Sequence, residues 1–221
     1  MPVPIEDRPS ASVHPVLWIL TGIIAALELL FWAVDNRYVG HALSRGELIT
    51  KFAFHDQLFD YALREGVVHL QLVYSFVSYA FLHGFPLHMI LNMVAFLGLG
   101  HAITRLAGIG AFLAVAAVSA VGGALVFGLV QTTEASLVGA SGVVFGLIGT
   151  LTAWQERALR TTGQPRGDIW MRCVGLVVLN GLMYLSFGGG VAWEAHLGGF
   201  VAGWLMAYPF PPRPRLRDRL A

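Results

Sequence analysis

The chain has 221 residues, of which 56% are hydrophobic and only 12% are charged, and its formal net charge at neutral pH is +1. This composition excludes an ordinary soluble domain, and a net charge so close to zero gives no reason to expect a nucleic-acid partner. Because Cys173 is the only cysteine, disulfide bonds within the chain are excluded as well. We therefore predict an integral membrane protein.

Six apolar segments are long enough to cross a bilayer, which requires about 20 residues per helix. In chain order they cover residues 16–34, 86–105, 109–130, 135–154, 169–187 and 191–210. The segments and their connections leave no room for a second folded domain. The expected fold class is an all-α, six-transmembrane-helix bundle at 16–210, with an N-terminal tail at 1–15 and a basic C-terminal tail at 211–221.

The distribution of basic residues predicts the orientation of these helices. If the N-terminus is cytoplasmic, ten of the 14 Lys and Arg residues fall on the cytoplasmic side, and the other four lie in the long connection at 35–85. The positive-inside rule then places both termini and both tails in the cytoplasm. The flank of the first segment is not clearly basic, so we expect a retained helix rather than a cleaved signal peptide.

The long connection at 35–85 mixes aromatic and aliphatic residues with charges. Its run FVSYAFL is too short to span a bilayer, so we predict a loop that is partly embedded in the membrane. A water-exposed loop that folds on itself is the alternative. The next helix is expected to begin at Pro86, because proline is favoured at the first position of a helix.

Polar side chains inside apolar segments cost free energy, so each one raises a functional question. His88, Ser141 and His196 lie near the starts of segments two, four and six, which all enter the membrane from the non-cytoplasmic side in the predicted orientation. At about 1.5 Å of rise per residue, all three reach a similar depth, on the order of 10 Å below the surface. Glu28 and Asn180 receive no role from such reasoning.

Small residues predict which of these helices approach each other closely. Glycines spaced three or four residues apart let helices pack tightly in lipid. Segments four and six carry such glycines beside Ser141 and His196, so close packing of these two segments would join residues that are 55 positions apart. The glycines are Gly142, Gly146, Gly149, Gly199 and Gly203.

A serine paired with a histidine is the usual arrangement for nucleophilic catalysis. Ser141 and His196 supply that pair, while Asn92, His88 and backbone N–H groups around Ser141 are candidate donors for a developing oxyanion. His88 and Asn92 are four residues apart and therefore share a helix face. Glu194 is expected to face water at the mouth of segment six, so we predict a catalytic dyad without a carboxylate.

Each of these residues also has a simpler explanation. A serine in an apolar helix usually bonds to a carbonyl one turn earlier. A single intramembrane histidine often serves packing or proton relay, and His88 with Asn92 would also suit hydrogen bonding between helices.

Other hydrolase signatures are missing. The sequence has no HExxH motif and no aspartate within a predicted span, and it has Val143 where a G-x-S-x-G elbow requires glycine.

Three motifs together resemble the rhomboid intramembrane serine proteases. They are HGFPLHMILN at 83–92, GASG at 139–142 and AHLGGFVAG at 195–203, and the resemblance extends from Tyr74 to Pro209. It implies that Ser141 is the nucleophile, His196 the general base, and His88 and Asn92 the residues on the oxyanion side. The supporting residues that it implies are His83, Gly139, Phe145 and Gly199.

The resemblance also implies what the protein acts on. Rhomboid proteases cut single-pass or multi-pass membrane proteins in or near a transmembrane segment, and they use neither a cofactor nor a metal. The expected partners are such substrates and membrane lipid, and the expected location is a prokaryotic inner membrane with the site open to the non-cytoplasmic side. The oligomeric state is not assigned.

Two positions depart from the family pattern, and two other functions stay open. Tyr74 and Ser75 stand where many rhomboids carry a Trp-Arg pair, and Thr104 stands where a glutamate is common. One alternative is a non-catalytic rhomboid-like protein that binds transmembrane helices in membrane-protein quality control. The other is a proton-coupled transporter that uses Glu28, His88, Asn180 and His196, against which the lack of evident inverted repeats argues.

Overall fold

A computed structural model describes residues 12–40, 44–131, 134–186 and 190–213. Most of the predicted tails at 1–15 and 211–221 lies outside the described residues. Apart from the connecting loops, the described residues form α-helices, two short strands and a 3₁₀ turn at Tyr79–Phe81. The elements are α1 (Pro15–Asp35), α2 (Arg45–Phe52), β1 (Phe54–His55), α3 (Asp56–Glu65), α4 (Leu70–Ser78), α5 (Pro86–Ala107), α6 (Ile109–Val130), β2 (Ser136–Leu137), α7 (Ser141–Thr161), α8 (Gly167–Ser186) and α9 (Trp193–Met206).

The six predicted segments correspond to α1, α5, α6, α7, α8 and α9, and α5 begins at Pro86 as expected. Four of these helices, α1, α5, α6 and α8, are long and apolar enough to cross a membrane. The protein is therefore an integral membrane protein. Helix α9 has 14 residues, so at 1.5 Å per residue it is about 21 Å long, which is shorter than a bilayer core. Crossing by α7 and α9 stays a prediction, as does the orientation of the termini.

The predicted start of segment four at residue 135 is wrong. Ser136 and Leu137 form β2, which pairs antiparallel with β1, and the helix begins only at Ser141. The backbone N–H of Ala135 also donates to Asp56 Oδ1 over 3.0 Å. These contacts hold the residues before α7 against the long connection. Ser136 and Leu137 are therefore extended, although their sequence continues the apolar run of α7.

Helix α9 lies between α6 and α7 and packs closely against both. Gly199 lies against the carbonyl of Gly142, and Gly203 lies against the carbonyl of Gly146, so any side chain at these positions would collide with backbone. Thr150 Oγ1 also donates to the Gly203 carbonyl over 2.7 Å. The close approach that the glycine spacing predicts is therefore present.

The long connection folds onto the bundle through α2, β1, α3 and α4. At its start, Arg45 donates to both carboxylate oxygens of Glu28 over 2.9 and 3.0 Å and to the His83 carbonyl over 2.6 Å. Burial works against the charge of Arg45, but hydrogen bonds and attraction to Glu28, and more weakly to Asp35, outweigh it and raise the pKa of Arg45. Glu28, which has no part in the predicted catalytic site, thus anchors the loop.

Side chains of α4 hold a second part of this loop. Tyr74 Oη donates to the Lys51 carbonyl over 2.9 Å, and Ser78 Oγ donates to the Phe52 carbonyl over 2.6 Å. Helix α4 also exposes the apolar side chains of Leu70 and Val73. These exposed apolar side chains are consistent with a membrane-embedded loop, which stays a prediction. At the Tyr74-Ser75 departure from the family pattern, Tyr74 thus supplies a loop anchor of its own.

Helix α8 is the least integrated of the long helices. Only 6% of its most apolar 18-residue stretch is buried within the protein. It contacts α7 sparsely and leaves an apolar cavity along α9. Few interactions therefore hold α8 in place, and each hydrogen bond between α8 and the bundle contributes a large part of them.

Candidate active site

Ser141 begins α7, two residues after a backbone turn at Gly139. Gly139 has φ = +114°, a conformation that side-chain-bearing residues rarely adopt, and a Cβ there would lie 2.6 Å from His88 Cε1. The glycine therefore lets the chain pass beside the His88 ring and turn into the helix. Ser141 is the first helical residue, where backbone N–H groups lack partners within the helix.

Ser141 and His196 meet across the α7–α9 contact. Ser141 Oγ lies 2.8 Å from His196 Nε2, a hydrogen-bond distance, although the residues are 55 positions apart. The imidazole is 4% exposed, whereas the serine is half-buried. Phe145, one turn after Ser141, stacks on the imidazole with ring centroids 4.3 Å apart and planes 4° apart. The structure thus brings the two sequence-predicted residues together and restrains the histidine ring from one face.

The second ring nitrogen of His196 has a partner that the sequence analysis missed. Nδ1 lies 2.6 Å from Asn180 Oδ1 on α8. The sequence contained a signal for this partner. Asn180 lies six residues before the end of α8, which is about 9 Å along the helix. Its depth below the non-cytoplasmic surface is therefore similar to the depth predicted for His196.

His83 and His88 lie on the other side of Ser141. Their rings meet edge to face with centroids 5.0 Å apart. The backbone N–H of Ala140 donates to His83 Nε2 over 3.4 Å. Burial, with added repulsion from His88, lowers the pKa of His83 to about 3. His83 is therefore neutral near pH 7 and accepts this bond to the residue before Ser141.

Asn92 follows His88 by one turn and is buried, with 7% of its surface exposed. Its Nδ2 donates to the His88 carbonyl over 2.9 Å. This bond within α5 uses one of the two amide hydrogens of Asn92. Asn92 and His88 share a helix face, as the spacing predicts, and the His88 ring borders Gly139.

A cavity of about 490 Å³ opens beside His196. It lies between α8 and the α7–α9 pair, and Phe145 borders it from α7. Its walls are almost entirely apolar, so it suits aliphatic or aromatic side chains rather than charged ones. Its residues on α8 and α9 include Leu176, Val177, Asn180, His196 and Leu197.

Glu194 corrects an expectation from the sequence. It does not face open water, because only 7% of it is exposed. The flanking helices α6 and α7 cover the start of α9, and Oε2 has no hydrogen-bond partner among the described residues. Within that part of the chain, no group of three His, Cys, Asp or Glu side chains is arranged to hold a metal ion.

Comparison with known proteins identifies the family. A model of the Rhomboid domain matches residues 71–213. The chain is 27% identical to RHOMBOID-like protein 5 of Arabidopsis thaliana, over 94% of this chain and 72% of that protein. It is 35% identical to Rhomboid-like protease 3 of Toxoplasma gondii over 58% of this chain, and 33% identical to Rhomboid protease GlpG of Photorhabdus laumondii over 63% of it.

The chain spans about half the length of the two proteases, since the matches cover 48% of each. The family match covers more than half of this chain, from the second residue of α4 to beyond the end of α9. Every residue of the site described above, from His83 to Gly199, lies within it. This integral membrane protein belongs to the rhomboid family.

Proposed function

We propose that the protein is an intramembrane serine endopeptidase that hydrolyses peptide bonds in or near transmembrane segments of membrane proteins. The observation that carries this proposal is the 2.8 Å distance between Ser141 Oγ and His196 Nε2. A serine hydroxyl is a weak nucleophile until a base accepts its proton, and this distance is within reach for that transfer. The two relatives whose names include "protease" support the same reaction.

In the proposed reaction, Ser141 Oγ attacks the carbonyl carbon of the scissile bond while its proton passes to His196 Nε2. The resulting oxyanion accepts hydrogen bonds from the Ser141 backbone N–H, which is unpaired in the first turn of α7, and from side chains on α5. His88 and Asn92 are the proposed donors there. His196 then gives its proton to the leaving amine, and the carbon–nitrogen bond breaks.

The second half of the reaction restores the enzyme. Water attacks the acyl–Ser141 ester, His196 Nε2 takes its proton, and the ester bond breaks to release the new carboxyl end. His196 returns that proton to Ser141 Oγ. The supporting residues have structural parts in this scheme: Phe145 stacks on His196, Gly139 makes room for His88, His83 holds the Ala140 N–H, and Gly199 lets α9 approach α7.

The orientation and location are part of the proposal. Both termini lie in the cytoplasm, six helices span a prokaryotic inner membrane, and the site opens to the non-cytoplasmic side. The unequal distribution of basic residues supports this arrangement. The proposed partners are membrane-protein substrates and lipid, and the scheme uses neither a cofactor nor a metal.

A reporter cleavage assay tests the reaction. We expect purified protein in liposomes to cleave a reporter with one transmembrane helix, and Ser141→Ala to abolish cleavage without changing the folded yield. An exposed serine five residues earlier provides the matched control. Ser136→Ala removes an exposed hydrogen bond to His55 Nδ1 but touches neither Ser141 nor His196, so it should retain activity. A fluorophosphonate probe should label wild type and the Ser136→Ala control but not Ser141→Ala.

The apolar cavity beside His196 supports one other function, binding of transmembrane helices without cleavage. Full cleavage by Ser141→Ala would refute the proposed reaction. A wild-type protein that binds the reporter, leaves it uncut and is never labelled would favour the binding function instead.

A further inference from the structure

We propose that Asn180 is a positioning residue that holds the His196 imidazole in the tautomer needed to accept a proton from Ser141. This inference rests on the proposed protease function. Its basis is the 2.6 Å distance between His196 Nδ1 and Asn180 Oδ1, on the opposite side of the ring from Ser141. The ring is therefore bonded at both nitrogens and stacked on Phe145.

The chemistry of the amide oxygen decides the tautomer. A carbonyl oxygen only accepts hydrogen bonds, so His196 Nδ1 must carry the proton in the bond to Asn180 Oδ1. In a neutral imidazole, Nε2 then has a free lone pair, and Ser141 Oγ donates to it. This is the arrangement in which the serine proton is ready to move. In the other tautomer Nε2 would be a donor and could not act as the base.

No other described residue fills this role. Glu194 is buried two positions before His196, but none of its hydrogen bonds reaches the ring. Around Asn180, the cavity walls contributed by α8 are mainly apolar, including Leu176 and Val177. Among the described residues, Asn180 is therefore the only group bonded to His196 Nδ1. The predicted dyad gains a neutral third member.

The location of Asn180 adds a dependence on α8. This helix packs sparsely against the bundle and borders the cavity. Because the acceptor belongs to α8 and the base belongs to α9, the favourable tautomer is held only while α8 lies against the site. A displacement of α8 would break the 2.6 Å bond and release the constraint on His196.

Nitrogen NMR of ¹⁵N-histidine-labelled protein in micelles tests the tautomer directly. The His196 signals are assigned by comparison with His196→Gln. We expect the Nδ1–H form in wild type and in Asn180→Asp, which keeps an acceptor oxygen at the same atom position. Asn180→Leu, which is similar in size but has no acceptor, should show a substantial Nε2–H population. Asn180→Ala serves if the leucine variant does not fold.

Activity measurements test the consequence for the nucleophile. In Asn180→Leu, we expect the rate constant for fluorophosphonate labelling of Ser141 and kcat for reporter cleavage to fall about tenfold, the value of one hydrogen bond. KM should change little, and Asn180→Asp should restore most of the rate. Leu182→Ala, at an exposed position of the same helix, is the control and should match wild type.

The outcomes separate the two proposals. A wild type that neither cleaves nor labels would refute the protease function, while the NMR spectra would still show whether Asn180 sets the tautomer. An unchanged Nδ1–H population in Asn180→Leu would overturn the role of Asn180 even in an active protease. Equal losses in the aspartate and leucine variants, with equal loss of thermal stability, would reduce Asn180 to a packing residue and also overturn it.

Discussion

Loss of one partner of the ion pair between Glu28 and Arg45 should be one of the most destabilising single changes in the long loop. Its two hydrogen bonds measure 2.9 and 3.0 Å, and the side chains are only 4% and 15% exposed. We would replace each partner alone, as Glu28→Leu and Arg45→Met, and then both together. The double replacement removes both charges and leaves apolar side chains of similar length.

The expected magnitudes follow from burial. Arg45→Met leaves the Glu28 carboxylate, which is 4% exposed, without its partner, and this costs about 3 kcal/mol of the free energy of unfolding. Glu28→Leu should cost less, because Arg45 Nε keeps its ion pair with Asp35 over 3.4 Å. Arg45 also donates to the His83 carbonyl over 2.6 Å, so loss of that bond adds about 1 kcal/mol in both variants that lack arginine. The double variant leaves no buried charge unpaired, because Asp35, the other carboxylate bonded to Arg45, is 48% exposed. Its loss should therefore be smaller than the sum of the single losses by about 2 kcal/mol or more.

Reversible unfolding in mixed micelles, followed by circular dichroism, measures this double-mutant cycle. The four proteins are compared at one detergent composition, because the reference state depends on it. Single losses that add within about 0.5 kcal/mol would show that the partners do not interact, and the proposed loop anchor would then be refuted. We also expect reporter cleavage to be lower in both single variants, because the same arginine holds the backbone of His83 beside Ala140.

Two further predictions concern the helix contact and pH. Gly199→Ala should lower both stability and activity, because its Cβ meets the Gly142 carbonyl, while Gly22→Ala on α1, where nothing lies within 4 Å, should have almost no effect. Cleavage by Gly199→Ala at the wild-type rate would contradict the close helix contact. His83 takes up a proton below pH 6.5 when unfolded but only near pH 3 when folded, so its contribution to stability is complete above pH 6.5 and is lost as the pH falls toward 3. From pH 7 to 4.5 this loss is about 2.5 kcal/mol. Thermal scans of His83→Asn should show a smaller loss over that range, and equal losses would contradict the lowered pKa.

Much of the candidate site could be predicted from the sequence because short motifs carry local chemistry. Ser141 and His196 stand out as polar residues at one depth, and the glycines beside them indicate that their helices come close. The structure contains both the helix contact and the 2.8 Å hydrogen bond. Their catalytic roles stay proposals that the Ser141→Ala assay tests.

The misses share a different cause. Asn180 was not part of the predicted catalytic site, although its Oδ1 lies 2.6 Å from His196 Nδ1. Glu194 was expected in water and is covered by neighbouring helices, and Glu28 was left without a partner although Arg45 lies 17 residues away. In each case the deciding contact comes from another helix or from the long loop, and no pattern within the residue's own segment reports it.

Composition and hydropathy by themselves determine that this is a helical membrane protein, because the cost of placing each residue in a bilayer depends mainly on that residue and its near neighbours. The order of the apolar segments and the motifs around Ser141 and His196 follow from the sequence as well. Only the tertiary structure decides where β2 ends and α7 begins, which groups bond to His196, and how the long loop is held. Those outcomes depend on the depth, rotation and separation of whole helices, which arise from the sum of their contacts and not from any one segment.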